Sequence, residues 1–146
     1  MREIEFRGRT KRSGEWIVGS LLAPFEGNGA VIFREGETAA LSRGGAIYPG
    51  WVSVDPDTVG QYTGLRDKNG KKIYEGDILG ADNNVIGWVN GGVRGYCYDV
   101  VYIKKDVNDP PFSGDKRWSL YSTVQYDYPD MIEVIGNIHD NPELIK

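Results

Sequence analysis

Apolar and polar residues alternate over short stretches of this chain, and a turn signal interrupts them at intervals of about ten residues. Met1 to Arg9 carries charge at alternate positions and predicts a strand. Across the turn signal Arg12-Ser13-Gly14 it would pair with Glu15 to Leu22, where Trp16, Val18 and Leu21 form an apolar run that Pro24 ends. Gly27-Asn28-Gly29 predicts a turn before a strand at Ala30 to Arg34, and the small, polar residues 35–45 predict a loop. A third strand is expected over Ile47 to Val54, around Trp51. Asp55-Pro56-Asp57-Thr58 then predicts one short helical turn, with Asp55 as cap and Pro56 at the first helical position.

Further along, Asp67-Lys68-Asn69-Gly70 is a strong turn signal, because Asn-Gly adopts positive φ at low cost. The apolar run Ile73 to Leu79 contains a Gly76-Asp77 step, at which the Asp77 carboxylate is expected to accept backbone N–H groups. Asp82-Asn83-Asn84 predicts another turn, leading into Val85 to Val89. Tyr96, Tyr98, Val100 and Tyr102 then share one face of a strand, with Cys97, Val101 and Ile103 on the other, which predicts cover on both sides. Lys104 to Lys116, with Pro110 and Pro111, reads as a polar loop. Strands are expected again at Arg117 to Val124 and Met131 to Ile138, and Asn141-Pro142-Glu143-Leu144 predicts a last helical turn. Short strands so spaced imply a mainly β fold, a small barrel or sandwich with very little helix.

Composition sharpens this reading in three respects. A length of 146 residues suits one domain, or two small units sharing a core, with the turn-rich residues 55–66 as the candidate boundary. The net charge of −4 argues against a general nucleic-acid binder. A single cysteine, Cys97, cannot close an internal disulfide. With no apolar h-region at the start and no stretch of membrane-spanning length, it points to a cytoplasmic protein without a membrane partner. Charge is unevenly spread: Arg2, Arg7, Arg9, Lys11 and Arg12 outweigh Glu3 and Glu5, and Arg66, Lys68, Lys71 and Lys72 outweigh Asp67. Residues 125–146 are acidic.

Candidate chemistry is sparse. His139 is the only histidine and sits in a turn sequence, where a solvated or capping role is expected. Cys97 lies within an aromatic strand with no basic residue closer than Arg94, as befits a buried small hydrophobe. Placing Gly70 at the sixth position of a calcium loop puts Leu65 first and Gly76 twelfth, and both ligand positions fail. Gly91, Gly92 and Gly95 precede a β-rich run rather than the helix a phosphate-cradling loop needs. Arg94-Gly95-Tyr96-Cys97-Tyr98 partly matches an RNA-binding strand, but Asp99 and Val101 break the pattern. No cofactor and no metal site is therefore expected. An enzyme would need carboxylates such as Asp57, Glu75 and Asp77 to converge.

Three blocks carry a resemblance. The first is Met1-Arg2-Glu3-Ile4 with Phe6-Arg7-Gly8 and Trp16. The second runs from Thr58-Val59-Gly60-Gln61-Tyr62-Thr63-Gly64 through Leu65-Arg66-Asp67-Lys68-Asn69-Gly70 to Lys71-Lys72-Ile73-Tyr74-Glu75-Gly76-Asp77-Ile78. The third is Val134-Ile135-Gly136-Asn137-Ile138 with Asn141-Pro142-Glu143-Leu144. In this order they resemble the YopX family across the whole chain, while residues 23–50 and 80–125 show no comparable match. The resemblance implies a phage or prophage origin, with a small N-terminal β unit over residues 1–65 and an SH3-like β-barrel half over 66–146. It implies no reaction. The resulting expectation is a non-catalytic interaction or assembly module, homo-oligomeric or bound to a phage or host protein. The alternative is a nucleic-acid-binding accessory protein using Arg9, Lys11, Arg12, Lys71 and Lys72.

Overall fold

The structure is a computed structural model that describes residues 3–25, 29–34, 40–42, 45–47, 50–91, 98–103 and 117–146. It is mainly β, and every strand pairing in it is antiparallel among the described residues. The chain divides into two compact units, Met1–Tyr62 and Thr63–Lys146. No helix among the described residues is long and apolar enough to cross a membrane.

In the first unit the hairpin of β1 (Phe6–Arg9) and β2 (Trp16–Phe25) forms as the alternation predicts, with Phe6 opposite Gly19 and Arg9 opposite Trp16. Pro24 does not end β2, which runs on to Phe25 across a register shift after Leu22. β3 (Gly29–Arg34) follows. β4 (Ala40–Ser42) and β5 (Gly45–Ile47) make a small hairpin where a loop was expected, so Ile47 belongs to β5 rather than to the next strand. β6 (Trp51–Arg66) pairs with β3 through Trp51 to Val54 and with β1 through Asp55 to Gln61. The order β1-β2-β3-β6 therefore closes back on β1 as a four-stranded ring around Ile17, Ala30, Ile32 and Val54. Gly8 makes closure possible, because a Cβ there would lie 2.9 Å from Val54 Cγ2 and 3.1 Å from Ile32 Cδ1.

The helical turn expected at Asp55-Pro56-Asp57-Thr58 is instead a bulge within β6. Asp55 does act as a local cap, its Oδ1 accepting the Asp57 N–H at 3.1 Å. The chain stays extended because Thr58 Oγ1 donates to the Asp55 carbonyl at 2.7 Å and accepts the Arg9 N–H at 2.9 Å. Between Arg7, opposite Gly60, and Arg9, opposite Asp55, the extra residues of β6 loop out.

The second unit begins with the last residues of β6, which turn through Asp67–Gly70 into β7 (Lys72–Tyr74). β8 (Asp77–Ala81) and β9 (Asn84–Gly91) follow, joined by Asp82 and Asn83, both at positive φ as a tight hairpin demands. With β10 (Tyr98–Tyr102), β11 (Arg117–Ser119) and β12 (Glu133–Asn137) they form a sheet in the order β11-β10-β9-β8-β12. No pairing joins β11 to β12 among the described residues, so the implied SH3-like barrel is not established; β8 to β11 follow one another as a meander, and β12 returns to pair with β8. Its core contains Ile73, Leu79, Val89, Val100, Leu120 and Ile132. On β10, Tyr98, Val100 and Tyr102 pack on this core. Val101 is only half-buried, so cover on both sides is partial. Tyr96, Cys97 and residues 104–116 lie outside the described residues. Pro142–Ile145 forms the expected last turn, as a 3-10 helix.

Candidate interaction site

The strand expected over Arg117 to Val124 stops at Ser119. There the chain turns into α1 (Leu120–Ser122) and, without a break, a π-helix over Thr123–Asp127. Ser119 caps it, its hydroxyl accepting the Ser122 N–H at 3.4 Å. Thr123 locks the joint from inside. Its hydroxyl bonds the Ser119 carbonyl at 3.0 Å and meets the Tyr102 hydroxyl at 2.8 Å. Burial pushes the Tyr102 phenol up to about 12, against the lowering effect of its hydrogen bond to Thr123. Leu120 and Thr123 are thus sealed into the core, and the opposite side of the segment is left outward.

Two tyrosines occupy that outward side. The Tyr128 N–H donates to the Thr123 carbonyl at 3.0 Å, an i→i+5 bond, one residue wider than an α turn. This wider turn brings residues five apart together, and Tyr121 and Tyr126 pack edge to face with ring centroids 6.1 Å apart. They remain 55% and 72% exposed, and Trp118, just before them on β11, is 39% exposed. Surface aromatics held this firmly are what binding hot spots are made of.

The inner flank of the same segment borders a cleft of about 320 Å³, lined by Arg66, Lys68, Gln125, Tyr128 and Asp130 among others. Asp130 holds φ at 56° on its rim. The cleft's charges are largely engaged within the protein. Lys68 bonds Glu133 at 2.9 Å, and that carboxylate raises the Lys68 ammonium above the usual lysine range. Arg66 donates to the Gly70 carbonyl at 2.9 Å.

In the central sequence block two buried carboxylates hold backbone N–H groups of the turns. Asp67, buried, accepts the Asn69 and Lys71 N–H groups on Oδ1 at 2.8 and 2.9 Å, and the Val134 N–H on Oδ2 at 3.1 Å. Asp77 accepts the Tyr74 N–H at 2.8 Å within the turn that Gly76 makes at φ 82°. Of the basic candidates, Arg9 donates from Nε to the Gly14 carbonyl at 3.3 Å and braces its hairpin, while Lys11 and Arg12 are exposed at the hairpin tip. Lys71 is exposed and Lys72 half-buried on the second unit. Asp57 lies on the first unit, and Glu75 and Asp77 on the second. His139 occupies the turn after β12, its N–H donating to Asn137 Oδ1 at 3.0 Å. No group of three metal-ligating side chains occurs among the described residues. Sequence reasoning passed over Trp118, Tyr121 and Tyr126. The signal was their spacing, which reads as one face only if the turn is wider than an α-helix.

The sequence matches the family described as YopX protein over residues 5–146. The chain belongs to the YopX family. Solved structures similar to it include the crystal structure of protein EF1440 from Enterococcus faecalis, 23% identical, covering 100% of each chain, with a TM-score of 0.47. No curated protein matches. The YopX match takes in the Asp67 turn, the helical segment with its tyrosines and the strand β12.

Proposed function

We propose that this YopX chain is a non-catalytic interaction or assembly module of phage or prophage origin, acting in the cytoplasm of a bacterial host. It engages its partner through the Tyr121–Tyr126 face of the second unit. The observation that carries this reading is the pair of exposed rings on a segment whose inward residues, Leu120 and Thr123, are wholly buried. Aromatics so mounted lose little side-chain freedom on binding and bring large apolar area. The origin rests on the family resemblance.

Tyr121→Ser/Tyr126→Ser tests it. Association, whether with a second copy or with a protein from infected cells, should weaken by about tenfold or more, with the far-ultraviolet spectrum and melting temperature retained. Unchanged association would remove the reading. The alternative, a nucleic-acid accessory, draws on the exposure of Lys11 and Arg12 at one hairpin tip and of Lys71 beside another. Binding of that kind must fall steeply with added salt, so a polarisation titration of DNA and RNA at rising salt separates the two.

A further inference from the structure

The outward side of the helical segment is aromatic and anionic at once. From Trp118 to Ile145 the sequence has no lysine or arginine, and its acids are Asp127, Asp130, Glu133, Asp140 and Glu143. Glu133 is taken by Lys68 at 2.9 Å. Asp127 ends the π-helix directly after Tyr126, and Asp130 follows Pro129 on the rim of the cleft. Both are exposed, and neither carboxylate has an ion pair or a hydrogen bond among the described residues. Tyr121 and Tyr126 meet at 71°. In that arrangement the edge of one ring is turned to the face of the other, and at 55% and 72% exposure electron-rich ring surface remains open to solvent.

We infer that this surface binds an arginine-bearing segment of a partner protein, the guanidinium lying on a tyrosine face beside the carboxylate of Asp127 or Asp130. This names the partner chemistry of the proposed function and rests on it. A cation is attracted to the face of a tyrosine ring by its quadrupole, and the neighbouring carboxylates add charge of the complementary sign. Arginine fits better than lysine, because its flat fork stacks on a ring while it bonds a carboxylate through two N–H groups. A nucleic acid would bring phosphates against two anions. A purely apolar segment would cover both carboxylates and give them no partner. The area sets the scale of the occupant. Taking roughly 200 Å² for a fully exposed aromatic residue, the two tyrosines offer about 250 Å². A stable interface between globular partners buries about 800 Å² on each. The pair is therefore an anchor for a short segment, bound weakly.

The test is a chemical-shift titration of the full chain with a short glycine–serine peptide carrying two arginines, and with its two-lysine and two-glutamate counterparts. The arginine peptide should bind at about 1 mM, with shifts centred on residues 120–130. The lysine peptide should bind about threefold more weakly, and the glutamate peptide not at all. Tyr121→Ser/Tyr126→Ser keeps every charge and should weaken the arginine peptide about fivefold. Asp127→Asn/Asp130→Asn keeps both rings and should also weaken it about fivefold. Asp57→Asn/Glu143→Gln removes two exposed charges elsewhere in the sequence and should bind like the wild type, with all variants folded by melting temperature. Three results overturn the inference: no arginine-peptide binding up to about 10 mM, equal binding of the lysine peptide, or equal weakening by the Asp57/Glu143 control. A single-stranded DNA oligomer that shifts the same residues overturns it too. In any of these cases, protein association that still falls in Tyr121→Ser/Tyr126→Ser would leave the proposed function standing, and association indifferent to it would remove both.

Discussion

Single side chains in this protein do the work usually left to backbone pairing, and Asp67 is the clearest case. Its carboxylate holds two N–H groups of its own turn and a third, Val134, that is 67 positions away in sequence. Asp67→Ala leaves the buried Val134 N–H without an acceptor. Urea denaturation should show a loss of about 3 kcal/mol. Tyr102 offers a pH signature. Its phenol titrates near 12 in the fold, above the ordinary tyrosine value of about 10, so folding holds the proton. Its contribution is complete below about pH 10 and is lost as pH rises towards 12. Tyr102→Phe should flatten the fall of melting temperature over that window, since Thr123 keeps its bond to the Ser119 carbonyl.

At the scale of elements, the sequence is legible where the cause of structure is local. Gly70 and Asp82-Asn83 turn the chain because their own backbones accept positive φ, and alternation with the Arg12-Ser13-Gly14 turn signal predicts β1 with β2. It is opaque where a distant partner decides. Asp55 and Pro56 present the chemistry of a helix start, but the Arg9 N–H, 49 positions from Thr58, claims that residue's hydroxyl and keeps β6 extended. Thr58→Val, equal in shape, should therefore destabilise the chain by about 2 kcal/mol, whereas Pro56→Ala, which removes no helix position, should change the urea midpoint little. Likewise Leu120 to Asp127 is rich in aromatic and β-branched residues that favour a strand. Burial of Leu120 and Thr123 and the Tyr102 hydroxyl override that preference. The tyrosine face is invisible in sequence for the same reason: the wide turn that assembles it is set by packing.

For the molecule as a whole, each unit carries its own core. Ile32 and Leu79 are both fully buried, one in each. Ile32→Ala and Leu79→Ala should each cost about 3 kcal/mol, and hydrogen exchange should place the first loss in β1 to β3 and the second in β8 to β10. The ring of the first unit also bears on how the protein fails. Fibril growth and runaway strand exchange need a backbone that can act as a template, and β1 and β3 each have both flanks taken within their own circuit. Misassembly from those strands must wait for the circuit to break. Under heat or shear its onset would follow the rate of that rupture and not the amount of folded protein in solution.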